Sequence, residues 1–403
     1  MNTSAATLAE HDIPAHVPPE LVKVFDFRTG LGDDPHATVG ALHQGPPIIY
    51  SPVHHNELPN SPGTWIPLRA ADIRAVLQDP ATFSSDIGRA KSRELTLIPL
   101  ELDPPEHTKY RALMNPLFSP KKIQALEQTV LDVSTSLIDK ILEKGSCDFV
   151  EDFARPFPIG IFLGLMGLPQ EEMPRFLEWE GLIMRQRSTR AEGIEAVCGY
   201  LSGLIKARRL EPTDDLISFA VQSQVDGRVL DDSEALGLCL LLFIGGLDTV
   251  ASSLGFYMRY LAEHHADQQV LREDPSLIPD AVEEFLRAFA VVNTSREATC
   301  DTEIAGVAIK KGDNITCSTI LACRDPLEFE APDVVNIRRN PNPHNAFAYG
   351  PHRCIGSHLA RRELLIGLRE CLSRIPTFSI KEGIPPRVAG GGVFSVESLE
   401  LVW

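Results

Sequence analysis

The chain has 403 residues, 43% of them hydrophobic and 23% charged, with a formal net charge of −17. Such a composition excludes a disordered polymer, and an acidic balance without a long basic run excludes nucleic acid and anionic membrane surfaces as general partners. No Gly/Ser-rich or Pro-rich linker divides the chain, so one large unit with a substantial core is expected.

The opening "MNTSAATLAEHDIPAHVPPE" lacks a basic n-region followed by an apolar h-region, which predicts a cytoplasmic protein. The first ninety residues alternate Pro/Gly-punctuated turns with short β-like pieces, "PPIIY" and "TWIPLR", followed by a helical "RAADIRAVLQDP" closed by Pro80. From about 119 to 209 apolar residues recur at three and four, as in "SPKKIQALEQTVLDVSTSLIDKILEKG", where Gly145 supplies a C-terminal stop. From Asp232 to about His264 the pattern predicts a single helix of roughly 50 Å capped by Ser233. Its apolar run, "LGLCLLLFIGGL", ends at Asp248 after twelve residues, short of the ~20 of a membrane span, so a core helix is expected. "DPSLIPDAVEEFLRAFA" predicts a further helix, and "REATCDTEIAGVAIKKGDNITCS" predicts paired strands turning at Gly306 and Gly312. The terminal "VFSVESLELVW" alternates as well, and no internal repeat is found. The sum is a mainly α protein with small β-sheets, a single α-rich domain over 1–403 with β-rich portions near 40–70, 295–320 and 376–403.

Eight cysteines (147, 198, 239, 300, 317, 323, 354 and 371) are scattered without CxxC pairs, which predicts reduced packing residues. Cys354 differs in its surroundings, "FAYGPHRCIGSHLARRE". His352 and His358 flank it in H-x-C-x-x-x-H, but a zinc site wants four ligands and no second ligand cluster lies near. A buried packing cysteine is the plainest alternative. The residues before it are loop formers and those after it form an amphipathic helix, so the thiol sits near a helix N-terminus, where the macrodipole favours a thiolate. Gly350 and Gly356 leave room for a flat, bulky group, and the combination suits an axial haem ligand.

Two further patterns carry chemistry. In "EEFLR", Glu284 and Arg287 stand three apart on one helix face, which taken alone is a surface ion pair worth little. In "IGGLDTV", Gly245 and Gly246 cost about 1 kcal/mol each against alanine, and Asp248 places a charge among apolar neighbours. Thr249 is four residues beyond Gly245, so its hydroxyl competes for that carbonyl, and a kink with a groove for a small polar ligand and a proton relay is expected.

Taken in order, G-G-x-D-T, then E-x-x-R, then F-x-x-G-x-H-x-C-x-G, this chain resembles the cytochrome P-450 family, most nearly its bacterial camphor-hydroxylase branch. The likeness runs from "WIPLR" through "LDPPEHTKYR", "AIKKGD" and "HLARRE" to the terminal "LVW". It implies the P-450 fold, with haem b as cofactor and Cys354 as the proximal thiolate on iron. It further implies that His107, Arg111, Arg296 and His352 contact the haem propionates, that Phe347 lies beside the thiolate, and that Gly356 belongs to the cofactor loop. Glu284, Arg287 and Arg339 would brace the cysteine loop, and Asp248 and Thr249 would supply the protons that dioxygen activation consumes.

The implied pocket is apolar: Leu95, Leu97, Leu241, Ile244, Gly245, Val292, Gly392, Val393 and Phe394. Two departures stand out. Ala348 replaces the family's first glycine in F-G-x-G, and Leu95 replaces a tyrosine that grips a ketone, in a segment from Ser85 to Leu97 about three residues shorter. The expected reaction is RH + O₂ + 2e⁻ + 2H⁺ giving ROH + H₂O, on a terpenoid or norisoprenoid such as an ionone. The chain carries no flavin-binding or iron–sulfur pattern, so a separate [2Fe-2S] ferredoxin and its NAD(P)H-dependent reductase are implied. They would dock near Lys109, Arg111, Arg353 and Arg361, on a monomer. The rivals are a camphor or other monoterpene hydroxylase, a peroxygenase of the same fold, and a non-catalytic haem- or small-ligand-binding protein.

Overall fold

A computed structural model of the protein describes residues 13–53, 62–87, 95–185 and 187–403. The shortened segment before Leu95 falls largely on 88–94, outside the described residues.

Among the described residues the longer helices include α1 (Ala70–Gln78), α2 (Glu106–Met114), α3 (Glu127–Leu142), α4 (Pro156–Leu165), α5 (Met173–Met184), α6 (Arg190–Leu210), α7 (Asp232–Glu263), α8 (Ile278–Ala288) and α9 (Ser357–Arg374). The largest sheet joins β1 (Ile48–Ser51), β2 (Thr64–Pro67), β3 (Phe83–Ser84), β7 (Asn293–Ala298) and β10 (Asn314–Ser318) in the order β1-β2-β10-β7-β3. The β2–β10 pair is parallel and the others antiparallel. β4 (Ser146–Asp148) joins β11 (Ser379–Ile380) and β14 (Glu400–Val402) in a three-stranded sheet, while β12 (Arg387–Ala389) pairs with β13 (Ser395–Ser398). Two hairpins complete the set, β5 (Gln224–Val225) with β6 (Arg228–Val229) and β8 (Thr302–Ile304) with β9 (Val307–Ile309). Gly306 and Gly312 turn the predicted paired strands at φ +79° and +89°, conformations open to glycine. Strands β3, β4, β5 and β6 lie outside the stretches predicted as β-rich, because two- and three-residue strands carry too little alternation to read.

α7 is the axis of the molecule. Its 32 residues run about 48 Å at 1.5 Å per residue, and α4, α6, α9 and β13 pack around it. By length and composition it is apolar enough to cross a membrane, yet it lies within the packed core as expected. The predicted Ser233 cap is corrected: Asp231 is the N-cap. Its side chain accepts the Glu234 N–H at 2.9 Å while Glu234 accepts the Asp231 N–H at 2.8 Å, a reciprocal box that satisfies two otherwise orphaned donors. The helix continues without interruption past Gly245 and Thr249, from Asp232 to Glu263.

The buried apolar residues form two clusters, and α7 belongs to both. Its residues up to Leu247 pack with Met114, Phe162, Phe176 and Leu201, whereas those from Val250 onward pack with the sheet, α8 and α9. The seam between the cores therefore falls at Asp248 and Thr249.

Candidate active site

Cys354 lies three residues before the first residue of α9, whose N-cap is Gly356. Its N–H donates to the Phe347 carbonyl at 3.0 Å, and the Arg353 N–H donates to the Gly350 carbonyl at 3.0 Å, which folds the loop back on itself. Gly350 has φ +71°, and a Cβ there would stand 2.1 Å from the Leu77 carbonyl oxygen, so glycine lets this loop lie directly on the end of α1. A Cβ on Gly356 would sit 3.9 Å from the cysteine sulfur, in ordinary contact. Burial pushes the Cys354 thiol up, outweighing the Gly356 N–H and the charges of Arg111, Arg353 and Arg361. The expected lowering by the helix terminus is thus reversed in the protein chain by desolvation; a coordinating metal deprotonates a thiol outright.

Ala348 adopts φ +55°, the left-handed region, with its N–H donating to the Asn345 carbonyl at 2.9 Å. The departure from glycine therefore leaves the loop's course intact at a cost of roughly 1 kcal/mol in backbone strain. Ala348→Gly is expected to raise stability by about 0.5 kcal/mol, the relieved strain less the added freedom of the unfolded chain. Thermal unfolding of the haem-loaded protein measures this, and an unchanged or lowered midpoint contradicts it.

The ion pair of "EEFLR" is no surface feature. Glu284 and Arg287 are both 0% exposed. Arg287 donates from Nε and Nη2 to Glu284 at 2.8 and 2.9 Å and from Nη1 and Nη2 to the carbonyls of Cys323, Pro332 and Val334. Glu284 also accepts from Arg339 Nε at 3.0 Å, the Asn336 N–H at 2.8 Å and Asn342 Nδ2 at 3.1 Å. A buried carboxylate with five donors is fully satisfied, and it ties α8 to the chain leading into the cysteine loop.

On the other side of the loop four donors gather. The rings of His107 and His352 stand 4.2 Å apart. Neither nitrogen of His107 has a hydrogen-bond partner, nor has Nε2 of His352. Burial, then Arg296, His107 and Arg111, push His352 down to about 3, and burial and Arg111 also lower His107. Arg296 is buried, bonded through Nη1 to the Ser295 carbonyl and Thr294 hydroxyl, and Arg111 donates to Asn115 and to the Arg353 carbonyl. Asp103, within reach of His107 and Arg296, is itself held by Ser84 and the Ser85 N–H. Each orphaned buried polar group costs about 1 to 3 kcal/mol, a penalty that an anionic group with several oxygens removes. The two propionates of a haem are such a group, and this donor set fits them.

Beside the seam of the two cores, Gly245 and Gly246 are exposed although Phe243 and Leu247 on the same helix are buried. A Cβ on Gly246 would meet nothing within 4 Å. The groove is made by missing side chains and not by a break in the helix. The Thr249 hydroxyl donates to the Gly245 carbonyl at 3.2 Å. Burial, reinforced by Glu180, pushes the Asp248 carboxyl up to about 7 against the pull of Arg185 and Arg155. Those neighbours form a network that the sequence did not signal. Arg155 Nε donates to the buried Glu180 at 2.9 Å and its Nη1 to Glu151 at 2.5 Å, and Arg185 joins Glu151 at 2.7 Å.

The residues predicted to line an apolar pocket divide between the two buried clusters. Leu95, Leu97, Leu241 and Ile244 share one cluster, and a Cβ on Gly237 would stand 2.1 Å from the Thr96 carbonyl, so that glycine lets the Leu95–Leu97 segment lie against α7. Val292 and Val393 belong to the other cluster and form an isolated bridge, while Gly392 faces open space. Phe394 stands apart: fully buried, its ring meets Phe27 and His36 in the core. The zinc alternative finds no support, since no group of three His, Cys, Asp or Glu gathers around a common point among the described residues.

With this geometry in hand, comparison with known proteins gives a consistent answer. The cytochrome P450 family model matches residues 184–394. The probable cytochrome P450 127A1 of Sinorhizobium fredii is 43% identical over 97% of each chain. The steroid C26-monooxygenase of Mycobacterium tuberculosis is 32% identical over 81% of this chain and 91% of its own. The crystal structures of CYP101J2 and CYP101C1 each align at TM-score 0.88 and 35% identity over 97% of this chain, covering 99% and 100% of theirs. A buried E-x-x-R brace, a cysteine at a loop-to-helix junction and orphaned donors beside it define a haem protein of one class, and the chain belongs to the cytochrome P450 family. It is a cytochrome P450 monooxygenase, haem b is the family's cofactor, and the predicted likeness to the bacterial camphor-hydroxylase branch agrees with the CYP101 neighbours.

Proposed function

We propose that the chain acts as one domain, a cytoplasmic monomer, in which Cys354 ligates the haem iron and a small apolar terpenoid or norisoprenoid such as an ionone is hydroxylated. The observation that supports this is the pair of orphaned histidines, His107 and His352, beside the loop that carries Cys354. Haem b, when bound, supplies the iron at which dioxygen is reduced and one of its oxygen atoms passes to the substrate. Arg111, Arg296, His107 and His352 would hold its carboxylates. Asp248 would carry protons inward from the Arg155–Glu180 network, and the Thr249 hydroxyl would hold the last donor in the groove.

Electrons would come from a [2Fe-2S] ferredoxin on the face over Cys354. A surface cavity of about 240 Å³ lined by Arg111, Phe118, Arg353, Ile355 and His358 reaches the cysteine there. The predicted cationic patch is narrower than four residues, for Lys109 is paired with Glu106 and Asp226, and Arg361 with Glu283. Arg111 and Arg353 are the cations that support docking.

Substrate choice is tested at Leu95. A phenol at that position would hold a ketone by a hydrogen bond worth roughly 0.5 to 1.5 kcal/mol, whereas the leucine offers apolar contact. β-Ionone is expected to give a larger low-spin to high-spin shift and a lower Kd than camphor, and Leu95→Tyr to narrow or reverse that order. Tighter wild-type binding of camphor than of every larger apolar ligand overturns the assignment and favours a monoterpene hydroxylase.

A further inference from the structure

Adjacent to the Glu284 brace is a second one that the E-x-x-R pattern does not include. Glu283 of α8 accepts from Arg361 of α9, from Nε at 2.6 Å and from Nη2 at 2.9 Å, a two-pronged pair between the two helices. His344 Nε2 lies 2.8 Å from the same carboxylate. The Ala346 N–H donates to His344 Nδ1 at 3.3 Å, so Nδ1 is the acceptor and Nε2 carries the proton given to Glu283. The Arg361 guanidinium in turn lies 4.5 Å from the centre of the Phe347 ring. Phe347 offers the carbonyl to which the Cys354 N–H donates. One carboxylate therefore holds both flanks of the cysteine loop, His344 before it and Arg361 after it, and aims a cation at the aromatic ring that lines it.

We propose that Glu283 is a positioning residue for the proximal loop, and that through Arg361 it sets the charge felt at Cys354 and its cofactor on one-electron reduction. The inference rests on the reading of Cys354 as the iron ligand. Burial raises the Glu283 carboxyl, but the hydrogen bonds of His344 and Arg361 outweigh it and hold it down at about 2, so the group is an anion at any working pH. Glu283 and Arg361 are 32% and 30% exposed, which weakens their field by solvent screening without removing it. Reduction adds a negative charge at the iron site. Removing the Glu283 anion leaves Arg361 uncompensated and favours the reduced state; removing the Arg361 cation disfavours it.

The test is the ferric/ferrous midpoint of the haem-loaded full chain, with the reduced carbon monoxide spectrum recorded for every variant. Glu283→Gln is expected to move the one-electron equilibrium toward reduction by roughly threefold to tenfold, and Arg361→Met to move it the opposite way by a similar factor. The double variant is expected near wild type. A brace that only stiffens the loop would shift both single variants in one direction or leave both unmoved, and either result overturns the proposal. Should Arg361→Met fail to take up haem, Glu283→Asp replaces it: the retained charge predicts a wild-type midpoint, and a shift equal to that of Glu283→Gln is a refutation. A wild-type carbon monoxide spectrum without thiolate character sinks the ligand reading itself, whatever the midpoints do.

Discussion

Cys354→His is expected to abolish the red-shifted Soret band of the reduced carbon monoxide complex and to reduce monooxygenase turnover to the detection limit, while haem is retained. Retention follows from the donors on the other side of the site. His107, His352, Arg296 and Arg111 come from α2, β7 and the cysteine loop, and none of them depends on the sulfur. Loss of function follows from the ligand's charge. A thiolate pushes electron density toward iron and favours O–O cleavage, whereas a neutral imidazole does not. The loop tolerates the larger ring only by shifting, because its backbone bonds at Phe347 and Gly350 fix the ligand's position. Absorbance of the reduced complex, with haem content by the pyridine method, decides the matter. An imidazole-type spectrum in the unsubstituted protein would end the assignment.

Asp248→Asn is expected to slow substrate-dependent NADH consumption by about 10² to 10⁴, the range of positioned proton transfer. Thr249→Ala should instead keep consuming NADH and release peroxide, since the relay acid remains but the hydroxyl that holds the last donor is gone. The pH dependence distinguishes a relay from simple packing. Burial and Glu180 raise the Asp248 carboxyl from 3.8 to about 7, so it is protonated at pH 6 and ionised at pH 8. Wild-type turnover should therefore fall as pH rises through about 7, and the Asn variant should lack that limb. Stability supplies a second readout. Because the folded-state value is raised, folding loses stability as pH rises from about 3.8 to about 7, where the unfolded chain ionises and the buried carboxyl does not. The Asn variant should thus melt higher than wild type at pH 8, with the difference vanishing near pH 4. Two variants with full rate and coupling would reduce the pair to helix packing.

Much of the site was legible in the sequence wherever its signal is local. The cysteine junction, the Glu284–Arg287 spacing and the Gly-Gly-Leu-Asp-Thr stretch each lie within a few residues, and short-range spacing is what periodicity and turn chemistry report. The long core helix was equally plain, though its cap was displaced by two residues to Asp231, because capping depends on a reciprocal pair and not on one favourable residue. What spacing cannot report is which face of an element meets which neighbour. Phe394 directly follows Val393 in the chain, yet its ring turns into the core against Phe27 and His36. Lys109 and Arg361 read as free cations and are in fact neutralised, the latter by Glu283, 78 residues away.

By itself the sequence determined the α-rich class and marked the cysteine junction and the two acidic motifs, because each is written in residues near one another along the chain. Only the tertiary structure decided that His107 and His352 are left without partners, that Asp248 shares its buried surroundings with Glu180 and Arg155, and that Glu283 binds both flanks of the cysteine loop. Those outcomes depend on how α2, α5, α8 and α9 cross. Desolvation and pairing of charge are properties of the space between elements, which no one element contains.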